Sequence, residues 1–138
     1  MASAEPVVRP RGLHHAGVVV SELGASVAFY EEMFGATVAL AVDEEAFSLV
    51  MLDVGNAFVE LLVFRPPVPG PAPHGSALGA GHLALAVEDL AGAHERLRAR
   101  GVRFEGPPRL IEGGPSAGYV IAFCLDPDGN RVELIQTP

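Results

Sequence analysis

The apolar residues of this chain come in short runs, each closed by glycine, proline or an acidic cluster. The first run predicts a strand over 12–20, with Ser21 as helix N-cap. A helix follows over 23–34, placing Leu23, Val27, Tyr30 and Phe34 on one face and ending at Gly35. Three strands are predicted next, over 36–42, 46–54 and 57–64. Asp43, Glu44 and Glu45 form an acidic turn between the first two, and Gly55-Asn56 a hairpin turn between the last two. Residues 65–79 are rich in proline and glycine and read as a linker. The order then recurs. A strand over 82–87 leads into a helix over 88–100, which buries Leu90, Ala93 and Leu97 and exposes Glu95, Arg96, Arg98 and Arg100. Short strands are predicted over 102–105 and around 109–112. Two more follow over 119–125 and 131–136, separated by the turn Asp126-Pro-Asp-Gly-Asn130.

The chain therefore reads as strand, helix and three strands, taken twice. Residues repeat along with the pattern. His15 and His82 stand 67 positions apart, and the helix-ending Gly35 and Gly101 stand 66 apart. Gly55-Asn56-Ala-Phe-Val-Glu-Leu-Leu62 matches Gly129-Asn130-Arg-Val-Glu-Leu-Ile135 with one residue fewer. The class is α+β, with two tandem βαβββ modules. Residues 1–11 form a flexible leader, and 12–138 one domain. Within that domain, module one is 12–64, the linker 65–79 and module two 80–138.

Composition narrows the partners. The 138 residues have room for a core, and 49% of them are hydrophobic. A net charge of −8 argues against nucleic acid and against anionic membranes. All nine cations are arginine, so no lysine is present for a Schiff base or a phosphate loop. Cys124 is a lone cysteine in an apolar strand, which predicts a buried, inert thiol. No apolar run approaches the ~20 residues that span a bilayer, and the leader lacks a signal peptide's apolar centre. A cytoplasmic location is the expectation.

Candidate chemistry comes from strand alternation. Glu60 shares a face with Phe58, Leu62 and Phe64, in a strand whose two faces are both apolar. A carboxylate there needs a compensating cation, and its strand supplies none. Glu133 lies between Val132 and Leu134 in the same predicament. His82 shares its face with Ala84 and Ala86, and His15 with Gly17 and Val19, so small residues leave space beside both imidazoles. Two histidines and two glutamates facing one concavity form a divalent-metal site of His15, Glu60, His82 and Glu133. That donor set suits one Zn, Ni, Co, Mn or Fe ion. His14 points to the opposite face and reads as a rim residue, while His74 and His94 read as solvated. Arg103 and Arg109 read as surface cations.

These residues, with the stretches Gly81-His-Leu-Ala-Leu85 and Asp126-Pro-Asp-Gly-Asn-Arg-Val-Glu-Leu-Ile135, resemble the vicinal oxygen chelate superfamily. That superfamily comprises glyoxalase, bleomycin-resistance and extradiol dioxygenase proteins. The resemblance spans residues 12–136. It implies two βαβββ modules forming a curved mixed sheet around a central metal, to which a small substrate binds through chelating oxygens. It also implies a lyase or isomerase that moves a proton through a metal-stabilised enolate or enediolate, in the manner of glyoxalase I or methylmalonyl-CoA epimerase. By that resemblance Glu133 is the candidate base, Glu60 its counterpart, and Glu44 or Glu45 a further acid–base group. Glutathione-using relatives carry an arginine four residues after the first histidine, where this chain has Val19. The alternatives are an iron-dependent extradiol-type dioxygenase and a protein that sequesters a small molecule such as an antibiotic. A homodimer is expected, because open sheet edges invite pairing. In a swapped dimer His15 and Glu60 would meet His82 and Glu133 of a second copy.

Overall fold

The structure is a computed structural model and describes residues 6–73 and 81–138. Module one runs β1 (His15–Val19), α1 (Leu23–Phe34), β2 (Thr37–Asp43), β3 (Phe47–Asp53) and β4 (Phe58–Phe64). Module two runs β5 (Leu83–Ala86), α2 (Leu90–Ala99), β6 (Arg109–Leu110), β7 (Val120–Leu125) and β8 (Arg131–Gln136). The α+β class and the doubled βαβββ order are those the pattern predicts. The strands close as two four-stranded sheets, β1-β4-β3-β2 and β5-β8-β7-β6, where a single curved sheet was expected. In each sheet the first strand runs parallel to the last, and the other pairs are antiparallel. The helix is what allows the parallel pair, since such strands need a long crossover between them.

Local chemistry sets the helix ends. Glu22, not Ser21, caps α1: its carboxylate accepts from Gly24 N at 3.0 Å and Ala25 N at 2.6 Å. Ser21 is engaged elsewhere, its N–H donating to Asp128 Oδ2 at 3.0 Å. Gly35 ends α1 in the left-handed region with φ 68°, and its N–H reaches back to Glu31 O. Asp89 caps α2 through Gly92 N, so this helix starts two residues later than the periodicity suggests.

The predicted strand over 102–105 is reduced to one bridge, Phe104 to Cys124. Phe104 and β6 both lie against β7, so they are two pieces of one interrupted strand. Pro107 and Pro108 stand in the interruption, where neither has an N–H to give the ladder.

One apolar cluster runs through both modules. It takes Val20, Tyr30, Leu52, Val59 and Leu61 from the first, and Leu90, Cys124, Val132 and Leu134 from the second. Its β4 and β8 members, Val59, Leu61, Val132 and Leu134, are the positions that alternate with the glutamates. The shared core therefore takes the faces opposite the candidate ligands and leaves the ligand faces outside it. Polar contacts also tie the modules together: Tyr30 Oη to Asp126 Oδ2 at 3.3 Å, Ser21 N to Asp128 Oδ2 at 3.0 Å, Asn130 Nδ2 to Val19 O at 3.4 Å and Arg100 to Glu32 at 3.4 Å. Among the described residues no helix is long and apolar enough to cross a membrane.

Candidate metal centre

Register places each glutamate beside a small residue and diagonally across from a histidine. Gly17 is the partner of Glu60 in the β1–β4 pair, and Ala84 the partner of Glu133 in β5–β8. In each case the histidine stands two positions before that small residue, His15 within β1 and His82 just ahead of β5. His15 Nε2 lies 3.8 Å from Glu60 Oε2, and His82 Nε2 lies 2.8 Å from Glu133 Oε2. The glutamate side chains are 16% and 13% exposed, against 38% and 40% for the histidines. Each carboxylate is thus mostly withdrawn from water, with an imidazole at its open side. Beside Glu60 there is room: a Cβ on Gly17 would lie 3.8 Å from Glu60 Oε1 and 3.5 Å from Leu62 Cδ1.

The four predicted ligands form two pairs, not one cluster. Among the described residues no three His, Cys, Asp or Glu side chains are close enough together to share a metal ion. The cause is the fold just described, because the common core joins the modules through the faces opposite the pairs. The Glu60 face of module one remains open as a result. Val19 at 59%, Leu40 at 45% and Phe64 at 45% exposure all lie on it by register.

The two pairs are buttressed differently. His15 Nδ1 lies 2.9 Å from Nδ1 of His14, and the His14 ring leans on Phe58 with centroids 5.2 Å apart. His14 was expected to turn away as a rim residue, yet at the start of β1 its ring folds back to its neighbour. His82 instead packs edge-on against Phe123, with ring centroids 5.3 Å apart. The Arg131 guanidinium sits 3.9 Å over the Phe123 ring, and both Nε and Nη2 reach Glu105 at 3.0 Å. Arg131 escaped the sequence reading, although its spacing of two from Glu133 put it on the ligand face. Its pairing with Glu105 joins distant segments and has no local signature.

Glu44 stands apart from both pairs. Its N–H bonds Phe47 O, and Phe47 pairs with Phe64, four residues beyond Glu60. That separation is roughly 13 Å along the strand. Arg65 clamps the hairpin there, donating to Glu44 O at 2.8 Å and Asp43 Oδ1 at 3.0 Å and contacting Ser48 Oγ. The Ser48 hydroxyl, and then Arg65, hold the Asp43 carboxyl below its ordinary range. His94, expected to be solvated, is half-exposed and packs edge-on against Phe104 at 4.5 Å. His74 lies outside the described residues. A cavity of about 960 Å³ lies between β1 and module two, with His82, Arg131, Gly17, Val19 and prolines of the linker in its wall.

The fold is that of a known family. Residues 12–134 match the model of the Glyoxalase/Bleomycin resistance protein/Dioxygenase superfamily, and the chain belongs to that superfamily. A lactoylglutathione lyase of Arabidopsis thaliana is 34% identical over 119 residues, covering 85% of this chain and 41% of the relative. This chain therefore spans about two fifths of the plant relatives it matches. A 2-epi-5-epi-valiolone epimerase of Actinomyces sp. is 32% identical over 146 residues, covering 91% of this chain and 79% of the relative. Among solved structures, glyoxalase I from Zea mays superposes with a TM-score of 0.74 at 30% identity, over 90% of this chain and 44% of that one. The relatives named here include a lyase and an epimerase, the two reaction types the resemblance implied.

Proposed function

We propose that the chain is a divalent-metal-dependent lyase or isomerase. It acts as a homodimer in which the His15–Glu60 pair of one copy and the His82–Glu133 pair of the other hold one ion. The observation that carries this is the division of the four donors into two outward-facing pairs joined back to back through one core. A second copy turned face to face supplies each pair with its complement. The apolar strip of Val19, Leu40 and Phe64 supports the same arrangement, since a second copy would cover it.

The donors fit a divalent cation. Two imidazole nitrogens and two carboxylates are a borderline-hard set suited to Zn, Ni, Co, Mn or Fe. Among the described residues the ion-pair partners of Glu60 and Glu133 are His15 and His82. The charge that offsets the withdrawn carboxylates would be the ion itself.

A divalent ion held there would polarise a carbonyl oxygen of the substrate and make the adjacent C–H acidic. Glu133 then takes that proton on a carboxylate oxygen, and Glu60 holds the corresponding position on the opposite side. A proton returned to the same carbon from the other face gives epimerisation; returned to the neighbouring carbon, it gives isomerisation. Small residues at Gly17 and Ala84 leave the glutamates room to change ligand and base roles. The substrate proposed is a small molecule with two neighbouring oxygens. Val19 offers no cation on the ligand face, and Arg131 is committed to Glu105, so an anionic tail such as that of glutathione has no obvious counter-charge here.

The test is metal analysis with sedimentation. One ion per site in a dimer, lost on either His15→Ala or His82→Ala, is the expected result. A monomer that binds no metal after reconstitution refutes the proposal. Glu133→Gln should abolish proton–deuterium exchange beside a substrate carbonyl. Oxygen uptake on a catechol with bound iron would instead mark a dioxygenase.

A further inference from the structure

We propose that His14 is a positioning residue that sets the tautomer of His15. Its Nδ1 accepts a hydrogen bond from the Nδ1–H of His15, which leaves His15 Nε2 as a free lone pair on the Glu60 side. The inference rests on the reading of His15 as a metal ligand and deepens it.

The two Nδ1 atoms are 2.9 Å apart, a hydrogen-bonding distance. A neutral imidazole has one N–H and one bare nitrogen, so one proton lies between the rings and one Nδ1 must be bare. If His14 were the donor, His15 would carry its proton on Nε2. That proton would face Glu60 Oε2 at 3.8 Å, beyond hydrogen-bond range, and the nitrogen needed for a ligand would be blocked. If His15 is the donor, Nε2 is bare beside the carboxylate, and the His14 N–H points to solvent from an exposed position. Only this second arrangement leaves His15 Nε2 free to ligate a cation beside Glu60 while the 2.9 Å contact is kept.

His14 is held for the task. Its ring leans on Phe58, and its backbone carbonyl accepts from Phe58 N at 3.0 Å. Phe58 is two residues before Glu60 on β4, so the strand that carries the carboxylate also fixes the residue that orients the imidazole. Module two has no such device. Gly81 precedes His82, and the His82 ring is set by Phe123 instead. The two histidines would then enter a shared site with different preparation, His15 through a hydrogen bond and His82 through packing.

The test begins with metal-free full-length protein and long-range proton–nitrogen NMR correlations of the imidazoles. His15 is expected to show Nδ1 protonated and Nε2 bare. His14→Phe, which keeps the contact with Phe58 and removes the acceptor, should move the His15 proton to Nε2. His14→Asn, whose Oδ1 branches from the same atom as Nδ1, should restore the original form. Zinc affinity by calorimetry should fall about 10–100-fold in His14→Phe, the usual range for such outer partners, and recover in His14→Asn. An Nε2-protonated His15 in the unaltered protein overturns the proposal, and so does unchanged zinc affinity in His14→Phe. Failure of the metal reading shows separately, as zinc affinity unchanged by His15→Ala. The tautomer measured without metal decides the role of His14 in either event.

Discussion

Replacing Asp126 by alanine tests whether the turn before β8 is anchored as the structure indicates. Asp126 is 1% exposed. Its Oδ1 accepts from Asp128 N at 3.0 Å and Asn130 N at 2.8 Å, and its Oδ2 from Asn130 Nδ2 at 2.9 Å and Tyr30 Oη at 3.3 Å. Hydrogen bonds to a charged group are worth about 1.5–3 kcal/mol each, though they do not add. The freed donors of Asp128 and Asn130 are half-exposed and can turn to water. A net loss of about 3 kcal/mol follows, which for a chain of this length lowers the Tm by roughly 10 °C. Tyr30→Phe removes only the longest of the four bonds and should cost about 1 kcal/mol. Burial, then the Asp126 charge, push the Tyr30 hydroxyl pKa up, so this phenol stays protonated and keeps donating. Denaturant unfolding of both single variants and the double variant gives the coupling. A loss below about 1 kcal/mol for Asp126→Ala would refute the reasoning. So would full additivity with Tyr30→Phe, because the two groups would then share no bond.

The Asp43 carboxyl titrates below its unfolded value, so its contribution is complete above about pH 4 and is lost as pH falls through the depressed value. An NMR titration should show this, and Arg65→Gln should bring the midpoint back up. Burial pushes the Cys124 thiol pKa up to about 12, so alkylation at pH 8 should proceed only as fast as the protein unfolds; rapid native-state labelling would contradict the placement. Ser26 is fully buried and its hydroxyl has no partner among the described residues, so Ser26→Ala in α1 should stabilise by about 1 kcal/mol in denaturant melts. Leu61→Ala, at a fully buried position, should cost about 2–5 kcal/mol.

Much of the fold was legible because its signals are local. Gly35 and Gly101, the Gly55-Asn56 turn and the period-two strands mark boundaries that involve only near neighbours. The details that moved turned on which of two neighbouring residues supplies a cap and on prolines that interrupt a ladder. Glu22 rather than Ser21 accepts from Gly24 N and Ala25 N, and the 102–105 strand shrank to a bridge along β7 beside two prolines. The site divides the same way. The faces of His15, Glu60, His82 and Glu133 follow from alternation, which a sequence displays directly.

The sequence alone determined the doubled βαβββ order, the apolar and ligand faces of each strand, and a pairing of one histidine with one glutamate in each half. Each of these depends on a periodicity or a turn a few residues long. Tertiary structure decided how the halves meet. Nothing in a strand's alternation says whether two modules join ligand face to ligand face or back to back. Burial of Leu52, Val59, Leu61, Val132 and Leu134 in one shared core selects the second, and so leaves two pairs where the residues suggested one centre. The His14–His15 contact and the Glu105–Arg131–Phe123 stack are likewise products of folding, since ring orientation and long-range pairing leave no trace in spacing.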